Sequence, residues 1–392
     1  VAVERGNEFV ASAVVDSGEY RGVGVNYLYR TLLGRDATGA ELVHWANVWQ
    51  SDDLGSDGIA ARIVSDTEYD GLGLEQILRG RVNVVLGQSA LAFTELTNDE
   101  VELLAGGNPF QRLAVGSTFK LFILGELVAE VNAGERSLSD TMALRADLMD
   151  PVSIFNELPI GTPVTLYRLA ERMISHSDNT ATDHLLTLLG REKVEARMAI
   201  MGHSDPSVNT PLLLTKEMIG LRNMNDPNYP ASLNEYVAAS VDERRAILAS
   251  RFEGKIIDYN AVEFDTTSFD KVEWYNTPID SAKALLWLRD NTVAGLAANA
   301  LRGALDQSIA SAQLNFDRAG LWDYIGFKGG NEDRLLSGNW LLLGKDGRSF
   351  TLNVAWNNRD RDIATPVAIP RIIVVGQQLV NTIEAAVRSG TV

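Results

Sequence analysis

Cysteine is absent from the 392 residues. Disulfides, zinc ribbons, iron–sulfur centres and a thiol nucleophile are excluded with it, while the redox compartment stays open, because a chain without thiols is indifferent to it. Histidine is scarce: His44, His176, His184 and His203 are all there are. They form no His-x-His or His-Glu-x-x-His arrangement, so a metal hydrolase is not expected, and neither is a metal or other cofactor. Positive charge is short, with 35 Lys plus Arg against 52 Asp plus Glu and a net of −17. Such a surface repels phosphate backbones and anionic lipids, which argues against nucleic-acid and membrane-surface partners. No uninterrupted apolar run approaches a membrane span, so no transmembrane segment is expected. No Gly-rich phosphate loop opens a helix with Lys-Ser or Lys-Thr. No signal peptide is visible and the chain opens with Val1, as a mature or trimmed form would.

What is present is ordinary in bulk: 45% apolar and 22% charged residues, the profile of a globular protein. The length favours two domains. Residues 1–72 carry five Arg, no Lys and twelve acids. They also contain an echo, in which Val10 to Tyr20 lines up with Ile59 to Tyr69 and the two Glu-Tyr pairs fall 49 residues apart, a period suited to helical repeats. Between them Tyr27, Leu28, Leu32 and Leu33 precede Gly34-Arg35-Asp36, and Leu42, Trp45 and Trp49 follow at helical spacing. A small helical domain over 1–72 is expected, with a boundary at Gly71 to Leu78.

The second domain is expected to span 73–392. Val82 to Leu86 and Ala90 to Phe93 read as strands of a hairpin joined by Gly87-Gln88-Ser89. A mostly helical stretch follows over about 117–319. Strands return at Tyr324 to Phe327, Trp340 to Leu343 and Phe350 to Trp356, the last two joined by Gly344-Lys345-Asp346-Gly347, and a helix closes the chain at Ile372 to Val387. This is an α/β (α+β) order: one sheet, built from about 80–116 and 320–392, receives its last strands after an all-α part has been inserted. The site should lie at the seam between the two parts.

Three short motifs fall at that seam. Ser117-Thr118-Phe119-Lys120 opens an amphipathic helix, which puts a hydroxyl at its N-terminus and an amine one turn on. Serine is equally an ordinary N-cap there. Ser177-Asp178-Asn179 lies between two apolar helical runs; Ser177 is suited to pass a proton and Asn179 to hold an amide carbonyl or the lysine, although Ser-Asp-Asn also makes a plain capping turn. Lys328-Gly329-Gly330 ends a strand, where the glycines would let a substrate lie along the edge beside a cation. Only eight lysines occur in the chain, and two stand in these motifs.

Together and in this order the motifs resemble the Ser-x-x-Lys, Ser-Asp-Asn and Lys-Thr-Gly set of serine β-lactamases and penicillin-binding proteins, over about residues 80–392. The resemblance implies an antiparallel sheet with flanking helices and an acyl-enzyme on Ser117. Lys120 would take the proton, its affinity lowered by burial and by Lys328, and Ser177 would relay it to the leaving group. The amides of Ser117 and Asn331 would hold the oxyanion, with Phe327 and Asn331 at the pocket mouth and Gly330 and Asn179 against the substrate. Implied substrates are a small ester or β-lactam, or a peptidoglycan stem peptide, and the implied location is secreted or cell-envelope. The first seventy residues resemble a helical repeat of bacterial exported and surface proteins.

The chain departs from the pattern in two places. The Glu-x-x-Leu-Asn of class A enzymes, whose Glu activates the deacylating water, does not occur; Asp205 is the sole carboxylate in the stretch that spacing makes equivalent, Met201 to Pro211. Gly329 stands where the Thr of Lys-Thr-Gly would help hold a substrate carboxylate. Both losses argue against an efficient penicillinase and leave open an esterase, a DD-peptidase, or a catalytically quiet surface protein or sensor. The longer stretch from Glu217 to Asn276, the block Glu273 to Asp280 and Phe327 to Glu332 look like the cephalosporin-esterase-like hydrolases encoded with clavulanic acid biosynthesis.

Overall fold

The computed structural model describes residues 18–33, 35–51, 59, 62–63, 73–83, 87–292, 314–364 and 369–392. Helices α1 (Gly18–Leu32) and α2 (Gly39–Ser51) form an antiparallel pair, followed by α3 (Leu74–Asn83). Strands β1 (Gln88–Leu96), β2 (Val101–Gly107) and β3 (Leu113–Ala114) lead to α4 (Lys120–Asn132). The middle of the chain holds β4 (Thr141–Ala143), β5 (Pro163–Thr165), α5 (Leu166–Ser175), α6 (Asn179–Leu189), α7 (Arg191–Ile200), α8 (Thr215–Leu221), α9 (Ala231–Ala238) and α10 (Val241–Phe252). The chain ends with β6 (Tyr275–Asn276), α11 (Pro278–Asn291), β7 (Trp322–Glu332), β8 (Leu335–Gly344), β9 (Ser349–Asn357) and α12 (Ile369–Ser389).

Five strands form one antiparallel sheet in the order β2-β1-β9-β8-β7, so the last three strands do join the first two after the helical insertion. Its two faces are chemically different, as the two-residue period of a strand allows. One face presents Leu91, Phe93, Leu352, Val354 and Trp340 to α12 and α3 in a single apolar cluster. Ile372, Val375, Leu379, Val380 and Ile383 form the buried stripe of α12, each contributing roughly 1.5–3 kcal/mol by burial. The other face carries a buried polar row, Thr94, Thr351, Asn353, Asn339, Ser337 and Lys328. Beyond it α4 is buried along nearly its whole length and forms the hub of the helical core.

The expected hairpin is corrected at its first strand. Val82 belongs to α3, where it and Leu78, four residues apart, are fully buried, while residues 84–86 lie outside those described. Ala90 to Phe93 is part of β1, whose hairpin partner is β2. In the N-terminal part, Val25, Leu28, Tyr29 and Trp45 are buried in the same cluster as α3 and the outer sheet face. The Trp45 indole donates to the Tyr29 hydroxyl at 2.8 Å. The echo of Val10 to Tyr20 with Ile59 to Tyr69 falls largely outside the described residues, as does Gly34.

Candidate active site

Ser117 is held from below by the polar row of the sheet. It lies in a 3-10 turn, Gly116–Phe119, and Lys120 is the first residue of α4. The expected α-helical start is thus tighter by one turn, because Gly116, at φ 53°, brings the chain in from β3 through a left-handed corner. Asn339 donates to Thr118 Oγ1 at 3.1 Å, Thr118 and Ser337 share a 2.7 Å hydrogen bond, and the Ser337 hydroxyl donates to the Val115 carbonyl at 2.7 Å. Asn357 binds both the amide and the carbonyl of Ala114, each at 2.9 Å. Phe119 stacks on Trp274 with ring centroids 3.9 Å apart, and the Val115 amide donates to the Trp274 carbonyl at 2.9 Å. The Ser117 turn is therefore fixed against β8, β9 and the block before α11.

The three motifs converge on one hydroxyl. Lys120 Nζ donates to the Ser177 carbonyl at 2.7 Å and to Asn179 Oδ1 at 2.8 Å, and lies 3.3 Å from Ser177 Oγ. Lys328 Nζ reaches the same Ser177 Oγ at 2.9 Å and its neighbour's carbonyl, Gly329 O, at 2.6 Å. Ser177 adopts φ 56°, a conformation that costs a non-glycine residue on the order of 1–3 kcal/mol. The turn is held there by the Asp178 carboxylate, which caps α6 by accepting from the Ala181 amide at 2.9 Å and also accepts from the Ser153 hydroxyl at 2.7 Å. Asp178 is the structural member of the motif; Ser177 and Asn179 face the lysines. Asn179 uses its amide nitrogen on Asp150 at 3.1 Å, so it grips the lysine and is braced from behind.

Burial of two amines sets the electrostatics. Lys120 is fully buried, and loss of hydration brings it down to about 7 against the opposing pull of Asp183, Asp178 and Asp150. Lys328 is driven well below the ordinary lysine value, first by burial and then by the Lys120 charge. The two amines meet at one hydroxyl, so a charge on either disfavours a charge on the other. An amine near 7 can exchange a proton at physiological pH. The Ser117 hydroxyl is half-buried and makes no hydrogen bond among the described residues.

Two glycines bring Ser117 and β7 into backbone contact. A Cβ on Gly330 would lie 2.0 Å from Val115 O and 2.6 Å from Ser117 N, and one on Gly116 would lie 3.1 Å from Asn331 N. The amides of Ser117 and Asn331 are thereby neighbours beside a pocket of ≈ 270 Å³ lined by Ser117, Asn179 and Asn331. Phe327 does not reach that pocket, contrary to expectation: it is 5% exposed, on the face of β7 opposite Lys328, with its ring 4.8 Å from Trp340 in the apolar cluster. Strand alternation decides this, since consecutive side chains point to opposite faces. His176 is exposed and bonded to Arg172 and Ser175, outside the pocket. Asp205 pairs with Arg112 at the surface, 3.2 Å away.

Sequence reasoning missed the rest of the lining: Thr215, Met218, Ile219, Phe264 and Glu332, with Trp274. Several come from the longer stretch after Glu217, and that extra length was the available signal. Behind Glu332 the Arg222 guanidinium is fully buried and holds two carboxylates, Glu332 at 2.9 Å and Glu273 at 3.0 Å. Glu273 is pushed well above its ordinary value by burial and by Glu332 beside it. Among the described residues no group of three or more His, Asp or Glu side chains is arranged to hold a metal ion, and no helix is long and apolar enough to cross a membrane.

The β-lactamase enzyme family profile matches residues 74–265, which include the Ser117 and Ser177 motifs. Solved structures share the fold. A β-lactamase from Chitinophaga pinensis is 15% identical with a TM-score of 0.54, covering 80% of this chain and 99% of its own. One from Sphaerobacter thermophilus is 18% identical with a TM-score of 0.52, over 80% and 97%. The acyl-enzyme complex of a PBP-A variant with penicillin G is 16% identical with a TM-score of 0.52, over 80% and 96%. Over residues 74–265 the chain is similar to the β-lactamase enzyme family, and its fold is that of the β-lactamase and PBP-A structures.

Proposed function

We propose that this protein is a serine hydrolase that forms an acyl-enzyme on Ser117 and acts on esters or β-lactam-type amides. The observation that carries the reading is the convergence of two buried amines, Lys120 and Lys328, on Ser177 Oγ beside the Ser117 pocket. Ser117 Oγ attacks the carbonyl carbon and its proton passes to neutral Lys120. The adjacent amides of Ser117 and Asn331 take the oxyanion, and Ser177 passes the proton to the leaving group as the C–N or C–O bond breaks. Lys328 keeps Ser177 oriented through its 2.9 Å hydrogen bond. The reading includes an envelope or secreted location and a helical module, residues 1–72, ahead of the hydrolase unit.

The test is intact-protein mass spectrometry after brief exposure to penicillin G and, in parallel, to p-nitrophenyl acetate, with chromophore release followed in the second. An adduct or turnover that disappears in Ser117→Ala is expected; labelling that survives the substitution refutes the assignment. A long-lived penicillin adduct without turnover would favour a penicillin-binding role over a hydrolase.

A further inference from the structure

The wall of the Ser117 pocket is apolar apart from one carboxyl. Met218, Ile219, Phe264 and Trp274 supply the apolar part, and Glu332 is the one ionisable side chain among the described residues that line it. An apolar cavity of about 150 Å³ accepts a benzene ring, so ≈ 270 Å³ has room for a branched or aromatic acyl group.

Directly behind this wall stands a guanidinium. Arg222 is fully buried and touches three of the lining residues: Nη1 lies 2.9 Å from Glu332 Oε2 and 3.6 Å from the Met218 sulfur, and Cζ lies 4.2 Å from the centre of the Phe264 ring. The same Nη1 meets Glu273 Oε2 at 3.0 Å, and Nε donates to the Asp265 carbonyl at 2.9 Å. Two carboxyls therefore face one positive charge. Glu273, pushed well above its ordinary value by burial and by Glu332, relieves the excess by holding its proton. The cluster thus has no positive charge to spare, and Glu332 covers Arg222 from the pocket side.

The amines beside Ser117 are engaged too. Lys120 serves the Ser177 carbonyl and Asn179, and Lys328 serves Ser177 Oγ and the Gly329 carbonyl. Burial shifts both towards the neutral form. A carboxylate brought into this pocket would lose hydration, meet no free cation among the described residues and face the Glu332 carboxylate.

Resting on the acyl-enzyme reading above, we propose that Glu332 sets the charge class of the substrate: by covering Arg222 at the pocket wall it turns away acyl groups that carry a carboxylate and leaves the site to uncharged, apolar ones. Glu332 is a specificity-determining residue and takes no part in bond making.

Two esters test this, p-nitrophenyl phenylacetate and p-nitrophenyl (4-carboxyphenyl)acetate. They share a leaving group and a ring, and the para carboxylate is held away from its own ester. kcat/KM is measured for each by p-nitrophenolate release, with Ser117→Ala as the blank. The unmodified protein is expected to prefer the uncharged ester by about tenfold to a hundredfold. Glu332→Gln keeps the size and removes the charge, so the preference should shrink by about tenfold, through a gain on the carboxylate ester. Glu332→Asp, which keeps the charge, should keep most of the preference. Equal use of the two esters by the unmodified protein overturns the proposal, whether or not a variant folds. So does a preference that Glu332→Gln leaves unchanged, or one that shrinks only by loss on the uncharged ester. Release from neither ester above the Ser117→Ala blank, with no adduct on Ser117, overturns the underlying acyl-enzyme reading and this one with it.

Discussion

Acylation of Ser117 should titrate with Lys120, because burial brings that amine down to about 7. With a midpoint there, roughly a tenth of the molecules hold the neutral base at pH 6 and roughly nine-tenths at pH 8. The acylation rate with p-nitrophenyl acetate should therefore rise about tenfold across that interval and level off above it. A lysine at its ordinary 10.5 would leave the rate still climbing about tenfold per unit at pH 9. Lys120→Met should lower the rate by roughly 10²–10⁴ and remove the midpoint. The same amine ties rate to stability. Between about 7 and 10.5 the unfolded chain keeps the proton that the folded chain has released, so stability rises with pH through that window. The penalty from Lys120 is on the order of 4 kcal/mol at pH 7.5 and on the order of 1 kcal/mol at pH 9.5, a difference of a few kcal/mol. Lys120→Met lacks this term, so its advantage over the unmodified protein in urea midpoint should shrink by that amount between the two pH values. A rate flat from pH 6 to 8, or a stability gap that ignores pH, refutes the reasoning.

Gly330→Ala must push its methyl against the Val115 carbonyl and the Ser117 amide, so about 1–3 kcal/mol or more of stability and nearly all acylation should be lost together, read by thermal unfolding and adduct formation. Full acylation in a folded variant would show that β7 need not touch the Ser117 turn. Glu273, held well above its ordinary value, contributes stability that is fully present below the unfolded-state value near 4.5 and is lost as pH rises through the folded-state value. Glu273→Gln should flatten that loss in urea midpoints compared at pH 5 and 8.5; an unchanged pH dependence would place the proton elsewhere.

The chemistry of the site was legible because its groups sit in short local motifs whose spacing matches turns and strand ends. Ser117, Lys120, Ser177, Asn179 and Lys328 could be named from sequence because each lies within three residues of a recognisable signal. Thr215 and the Arg222 cluster could not, because their places beside the pocket are set by pairings with Asp183, Glu273 and Glu332 that are long-range in the chain. The misread strand at Val82 has a similar cause. A short apolar run fits a strand or a buried helix equally, and the contact of α3 with α12 and β2 decides it. β2 was missed because its face pattern does not alternate cleanly: its first half is largely exposed and its last three residues are all buried.

Gly329 and Phe327 show that a departure from a motif can be a coupled pair. They share a face of β7, and a Cβ on Gly329 would fall 2.8 Å from the Phe327 ring tip and 3.2 Å from the Ser337 carbonyl. The ring is trapped in turn by Trp340 at 4.8 Å. A threonine at 329 would have to expel an aromatic from the core, a loss of the order of 3 kcal/mol if the ring ended in water. The hydroxyl that the motif resemblance would place on the strand is therefore excluded by packing on the opposite face from Lys328. On the proposed reading, recognition along this edge would fall to the backbone of Gly330 and Asn331 and to the side chain of Asn331, which is exposed at the pocket. A site read in this way would hold a carbonyl through its amides and offer fewer fixed donors to a substrate carboxylate, so the proposed hydrolase is expected to turn over p-nitrophenyl acetate faster than penicillin G.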